Sequence, residues 1–365
     1  MTKLYDGEGN EIEIESGGGA SEEDVILAFN RAMVEGKIRV GGNIGDTQGI
    51  GSPVYFSKTH MDTSYANLLN AFKAHPNSVP FFIHSDQHGR GVEISRYANN
   101  IDVDTVEYLN INGGDTNADV YDPELLNEIY NRTKYVKNFI GIVGNHDYKE
   151  GSISVSPYNI RKAFCTTNLK RRMIATSELD CYVAYHDIHS VKAICIDPYD
   201  ARGIVSGMPH PYINSEVAEW IIEELSRDDG YDQIVIIHEP QWKRTRTRSN
   251  STYTTMLRGN GNTALYDLFV ARKSKTSGTY TDDENVSHSY DFTVCKTDLL
   301  CEIGGHWHEE MYSDVDGLTV YAQDWAGDNK YGGTFGLIDR DNNLLRIFSF
   351  DNVNGVKEEL DLTLQ

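Results

Sequence analysis

Short runs of apolar, often β-branched residues recur along this chain, and several stop abruptly at glycine or at a polar cluster. Val79-Pro-Phe-Phe-Ile-His-Ser-Asp86, Tyr108-Leu-Asn-Ile-Asn112, the segment from Phe139 to Gly144, Gln233-Ile-Val-Ile-Ile237 and Asp298-Leu-Leu-Cys-Glu-Ile303 all have this form. Their length and near-continuous apolar character predict strands buried on both faces. Tyr182-Val-Ala-Tyr185 and Val191-Lys-Ala-Ile-Cys-Ile196 predict a hairpin with His186 and His189 at its turn, both expected to be solvated. Three further strands are expected near the end, Leu318 to Gln323, Gly333 to Asp339 and Leu344 to Phe350, the last two joined by the turn Arg340-Asp-Asn-Asn343.

Helical periodicity separates these runs. Ser21 to Glu35 carries a capping pattern at Ser21 and Asp24, shares a face among Val25, Phe29 and Ala32, and stops at Gly36. Helices are also expected over Tyr65 to Ala74, from Asp122-Pro123 with Leu125, Leu126 and Ile129 inward, over Asn214 to Arg227, and over Thr263 to Arg272. The rest of 241–290 reads as polar and irregular. Alternating strands and helices place the chain in the α/β class. Gly17-Gly-Gly19 is a flexible joint, and residues 37–60 are glycine-rich. Residues 1–60 therefore read as a small N-terminal extension, and 61–365 as the main domain.

Composition narrows the class. The 365 residues are 39% hydrophobic and 24% charged, a soluble globular balance. Lys plus Arg number 33 against 55 Asp plus Glu, a formal charge of -22. Such a field repels phosphate backbones and disfavours nucleic acid as a partner, while it tolerates cations. Cys165, Cys181, Cys195, Cys295 and Cys301 show no paired spacing, so reduced thiols and a cytoplasmic location are expected, with Cys195 and Cys301 in the core. From the polar start Met1-Thr-Lys-Leu-Tyr-Asp no secretory leader is expected, and no apolar run reaches membrane-spanning length.

The chemistry sits at the strand ends. Asp86 and His88 follow the first apolar run, Asp115 follows Gly113-Gly114, Asn145, His146 and Asp147 follow Gly144, His238 ends another run, and His306 and His308 follow Gly304-Gly305. Residues two apart in an extended segment point to one side, so Asp86 and His88 can reach one ion together, and His306 and His308 likewise lie on one side. His84 lies inside its strand and reads as a core or supporting residue. Ligand sites of open α/β sheets form where strand carboxyl ends converge. Mixed nitrogen and oxygen donors without cysteine suit Mn, Fe, Zn, Co or Ni, and the surplus of ligands suits two ions sharing a carboxylate. Downstream, Lys243-Arg244-Thr-Arg246-Thr-Arg248 is either a solvated loop or a contact for substrate anions, with Arg244 the candidate.

The order Asp-x-His, Gly-Asp, Gly-Asn-His-Asp, His, Gly-His-x-His resembles the signature of the calcineurin-like metallophosphoesterases, over about residues 79–310. The resemblance implies a four-layer double β-sheet sandwich flanked by helices. It implies one metal site from Asp86, His88 and His308, a second from Asn145, His238 and His306, and Asp115 bridging two transition-metal ions. It implies a metal-bound hydroxide as nucleophile, with His146 over the substrate as a catalytic residue and Asn145 also touching it. Relatives place an Asp three residues after the bridging one to orient that histidine. Ala118 stands there instead, leaving Asn117, Asp119 and Asp147 as candidates. The Arg and Glu that mark protein Ser/Thr phosphatases are missing, so the chain is more similar to the Asn-His-Asp phosphodiesterase-like branch. The expected substrate is a small phosphate ester, a diester before a monoester. A nuclease, and a non-enzymatic phage or prophage tail-associated or surface-binding protein docked through residues 1–60, are the other readings.

Overall fold

In a computed structural model of the chain, the described residues are 4–5, 11–12, 58–88, 106–116, 136–147, 167, 169–173, 181–205, 208–243, 245–247, 264–314, 317–324, 332–351 and 354–365. The helices expected at Ser21 to Glu35 and after Asp122-Pro123, together with Asn117, Ala118, Asp119, Cys165 and Arg244, lie outside them.

In chain order the elements are β1 (Leu4–Tyr5), β2 (Glu11–Ile12), α1 (Lys58–Ala74), β3 (Val79–His84), β4 (Leu109–Asn112), β5 (Phe139–Gly141), β6 (Lys170–Met173), β7 (Tyr182–His186), β8 (Val191–Ile196), β9 (Tyr199–Val205) and β10 (Met208–Pro211). There follow α2 (Ser215–Ser226), β11 (Asp232–Ile237), β12 (Arg246–Thr247), α3 (Ala264–Lys273), β13 (Ser277–Thr281), β14 (Ser287–Asp291), β15 (Leu299–Gly304), β16 (Met311–Ser313), β17 (Val320–Ala322), β18 (Gly333–Asp339), β19 (Leu344–Asp351), β20 (Gly355–Val356) and β21 (Leu360–Thr363).

Two large sheets result. One runs β20-β19-β18-β3-β4-β5 with β21 on β19, and the other runs β12-β16-β17-β15-β11-β8-β7-β6. Strands β3, β4 and β5 are parallel in the first, and β8, β11, β15 and β17 are parallel in the second. Parallel neighbours deliver their carboxyl ends to the same edge, so each sheet presents its loops in one direction.

The strand alternation decides the layers. Phe81 and Ile83 face inward with Ile111, Ile140, Ala193, Cys195, Ile234, Ile236, Cys301 and Ile303, which together fill the space between the sheets. Phe82 points the other way, onto Met61, Tyr65 and Leu68 of α1. Ile194, Ile196, Val235 and Ile237 turn outward onto Val217, Ile221 and Leu225 of α2 and Leu265 and Phe269 of α3. The molecule is thus a helix–sheet–sheet–helix sandwich of four layers, in which each strand face has its own apolar partner. Full burial of one such Phe or Ile contributes about 1.5–3 kcal/mol. The helix α2 begins where Asn214 caps it, its side chain accepting the Val217 N–H at 2.9 Å.

Several expectations need correction. Helix α1 starts at Lys58 rather than Tyr65. The stretch 241–290 is not irregular apart from a helix, since it holds β12 and the β13–β14 hairpin. That hairpin has no apolar alternation to betray it. Its turn is set by Asp282, which accepts the N–H groups of Glu284 and Val286 and binds His288 Nε2 at 2.8 Å. His186 is not solvated. It is buried and stacked on His189 at 4.9 Å, because the β7–β8 turn packs against the end of α1 through Phe72 and against Glu107, whose carbonyl takes His189 Nε2. Cys195 and Cys301 are core residues, and Cys181, Cys195, Cys295 and Cys301 are buried and form no disulfide with one another. Among the described residues no helix is long and apolar enough to cross a membrane.

Glu302 on β15 is fully buried, and one carboxyl oxygen accepts the Gln241 N–H at 2.6 Å. Burial holds this carboxyl well above its ordinary range. The native state therefore keeps a proton that the unfolded chain sheds as pH rises through 4.5, and stability falls above that pH. Glu302→Gln cannot ionise. Its melting temperature is expected to exceed the wild type's at pH 8 and to match it near pH 4. The same offset at both pH values would contradict a buried, protonated Glu302.

Candidate metal centre

The strand-end residues converge. Asp86, His88, Asp115 and His308 place ligand atoms all within 4.8 Å of one another, and Asp115, His238 and His306 do the same. The two groups share Asp115. They draw on loops after β3, β4 and β15, and after β4, β11 and β15, so both sheets contribute.

Loop-to-loop hydrogen bonds hold this edge together. The His84 carbonyl accepts the Gly113 N–H (2.8 Å), Asp86 N–H reaches Gly114 O (3.0 Å), His88 N–H reaches Asp115 O (2.9 Å), and Gly305 N–H reaches His238 O (2.9 Å). Asn112 shapes the Asp115 turn by accepting the Gly114 N–H and donating to Thr116 Oγ1 at 2.8 Å. Gly144 and Gly305 are the close approaches that permit it. A Cβ on Gly144 would collide with Asp115 Oδ1, and one on Gly305 with Ser85 Oγ and Asp86 Oδ2.

The local conformation is not the extended one expected. Asp86 (φ 56°), His88 (45°), Asp115 (51°), His306 (75°) and His308 (54°) all occupy the left-handed region. For residues with a Cβ this costs about 1–3 kcal/mol each and persists only where the surroundings enforce it. Asp86 and His88 still share a ligand group while His306 and His308 fall in different ones, and it is the enforced backbone of the loops, not the pleat of a strand, that places them.

Each carboxylate is used in the same way. Asp115 Oδ1 accepts the His146 N–H at 2.8 Å, and Asp86 Oδ2 accepts the His306 N–H at 2.8 Å. The other oxygens, Asp115 Oδ2 and Asp86 Oδ1, are buried and face histidines of the two ligand groups. Asp115 Oδ2 lies 3.1 Å from His238 Nε2, and Asp86 Oδ1 lies 3.3 Å from His308 Nε2. His88 Nε2 and His308 Nε2 are 3.2 Å apart, and His306 Nδ1 is 2.9 Å from Asn145 Oδ1. Two donors on an ion about 2.1 Å away are about 3.0 Å apart at right angles and about 3.4 Å apart at tetrahedral angles. The observed spacings fit that range, so the residues present fit transition-metal ions.

The electrostatics agree. Burial would lower the pKa of His238, yet the Asp115 carboxylate pushes it up to about 10. Burial would likewise raise the Asp115 carboxyl, but His238 holds it low. Positive charge is strongly favoured between these two atoms, and a proton or a cation can supply it. His238 Nδ1 bonds the Gly113 carbonyl at 2.7 Å, which leaves Nε2 as the ligand nitrogen. Burial lowers the pKa of His306 to about 4 and lowers that of His88, so both are neutral at pH 7 and have a lone pair to give. For His308 the hydrogen bond to Asp86 is the largest influence, and it raises the pKa.

His146 is partly exposed at the rim, its ring 4.7 Å from that of His88. Asp147 is buried and its Oδ2 accepts the Gly144 N–H at 2.8 Å, which closes the turn Asn145–Asp147. His84 is buried inside β3, paired with Gln87 and outside both ligand groups, as expected. Of the basic run, Lys243 pairs with Asp267. The strand-end reading did not assign Glu239, which is buried with its Oε2 3.8 Å from His306 Nε2. Its place directly after His238 was the available signal.

No family model matches the sequence, and no curated protein matches it. Solved structures do. GAP50, the anchor in the inner membrane complex of Plasmodium, aligns over 79% of this chain and 89% of its own at 11% identity, TM-score 0.40. YfkN from Bacillus subtilis, a calcineurin-like phosphoesterase, aligns over 79% and 91% at 11% identity, TM-score 0.36. Vacuolar Protein Sorting 29 from Cryptosporidium parvum aligns over 78% and 98% at 9% identity, TM-score 0.29. A calcineurin-like phosphoesterase is thus among the structures this chain is similar to.

Proposed function

We propose that this chain is a metal-dependent phosphoester hydrolase of the calcineurin-like kind, acting on a small phosphodiester in preference to a monoester. The observation that carries the reading is the pair of ligand groups joined through Asp115. Two ions bound there would supply Lewis acidity towards phosphoryl oxygens and an ionised water at neutral pH.

The chain's own part is positioning and proton transfer. Asp86 and Asp115, each anchored by a backbone N–H from another ligand loop, hold the charge of the site in place before substrate arrives. Asn145 sits beside His306, where its amide can meet both an ion and a phosphoryl oxygen. His146, tied through its own N–H to Asp115, faces the substrate from the rim and donates a proton to the leaving oxygen. Its backbone anchor fixes the histidine even though Ala118 stands where relatives carry an orienting Asp. Arg244 is a candidate contact for substrate anions. The acidic charge of -22 favours a small ester over a nucleic acid.

The test is to strip the protein with chelator, reload it separately with Mn, Fe, Zn, Co or Ni, and assay bis-p-nitrophenyl phosphate beside p-nitrophenyl phosphate. Metal-dependent turnover, faster on the diester, is expected. Retained metal with no turnover of any phosphate ester would overturn the hydrolase, and hydrolysis of single-stranded DNA in preference to small esters would make it a nuclease.

A further inference from the structure

We propose that Glu239 is a positioning residue for the second metal site, its carboxylate fixing the ring of His306 so that Nδ1 faces the ion. The role rests on the metal centre proposed above. His306 divides its two nitrogens: Nδ1 lies 2.9 Å from Asn145 Oδ1, and Nε2 lies 3.8 Å from Glu239 Oε2. A neutral imidazole carries one N–H and one lone pair. A carboxylate beside Nε2 selects the tautomer with the proton on Nε2 and leaves the lone pair on Nδ1, next to Asn145 Oδ1. At 3.8 Å the carboxylate acts on the Nε2–H electrostatically. Carboxylate–histidine–metal arrangements of this kind orient the ring and raise its basicity.

Glu239 is presented rigidly. It follows His238, whose carbonyl accepts the Gly305 N–H from the His306 loop. Its own carbonyl accepts Gln241 Nε2 at 2.7 Å, and the Gln241 N–H is held by the buried Glu302. Pro240 packs where Gly304 has no side chain, since a Cβ on Gly304 would meet the Pro240 ring and Ile237 O. The segment from His238 to Gln241 is therefore clamped on the end of β15, with the Glu239 side chain only 3% exposed. The edge-to-face contact with Trp307 at 5.1 Å limits the ring of His306 from another side.

Glu239→Gln keeps the shape and removes the charge, and Glu239→Ala removes both. Chelator-competition titration with Mn and with Zn, resolving two binding steps, reads the effect on the full chain. The expected result is a loss of roughly 10-fold in one step for Glu239→Gln and up to about 100-fold for Glu239→Ala, with the other step unchanged. The Co-loaded variants are expected to show an altered visible spectrum, while metal-free melting temperatures stay at the wild-type value. Wild-type affinities in both variants, in a protein that holds two ions, would overturn this role alone. A wild type that holds no second ion would overturn both the role and the metal centre. Lowered metal-free melting temperatures in both variants would make Glu239 structural and overturn the role.

Discussion

Asp115→Asn is expected to lose most of both bound ions and all but a trace of turnover, a larger effect than any other single replacement. Asp115 is the one residue present in both ligand groups. One of its oxygens is committed to the His146 N–H and the other faces His238 at 3.1 Å. The asparagine amide keeps the size but removes the charge that pushes the His238 pKa up to about 10 against burial. It also places an N–H₂ where either an ion or the His146 N–H needs an acceptor. Elemental analysis after gel filtration reads the loss. Two retained ions in this variant would remove the bridging role, and the shared centre with it.

His146→Ala is expected to keep the metal and lose turnover. The histidine side chain belongs to neither ligand group and stands partly exposed at the rim, so its removal leaves the donors untouched. Its backbone N–H, which anchors Asp115, survives the replacement. Loss of a positioned proton donor costs about 10²–10⁴-fold in rate. The fall is expected in kcat more than in KM, and to be smaller for an ester whose leaving group needs no proton, such as a nitrophenolate, than for an alkyl ester. Equal metal loss in His146→Ala and Asp115→Asn would contradict the division of labour between them.

The buried apolar runs make the parallel strands legible in the sequence alone, because a strand covered on both faces must be apolar almost throughout. Val191–Ile196 and Gly333–Asp339 were readable to the residue. The β13–β14 hairpin was not, because its stability comes from Asp282 and His288 and not from alternation. His186 misled for a related reason. A polar residue at a turn reads as solvated unless one knows that the turn docks on α1.

At the site, chemistry at strand ends singled out Asp86, His88, Asp115, Asn145, His238, His306 and His308 as candidates, since residue type and position behind an apolar run are properties of the chain alone. Their geometry was beyond reach. The left-handed conformations of five of them, the backbone N–H groups that fix one oxygen of each Asp, and the approach of Glu239 to His306 depend on loops from two sheets meeting at one edge. A strand's own sequence specifies which face it buries. Which loops meet, and how closely, follows only when the sheets pack, because each of those contacts joins residues far apart along the chain.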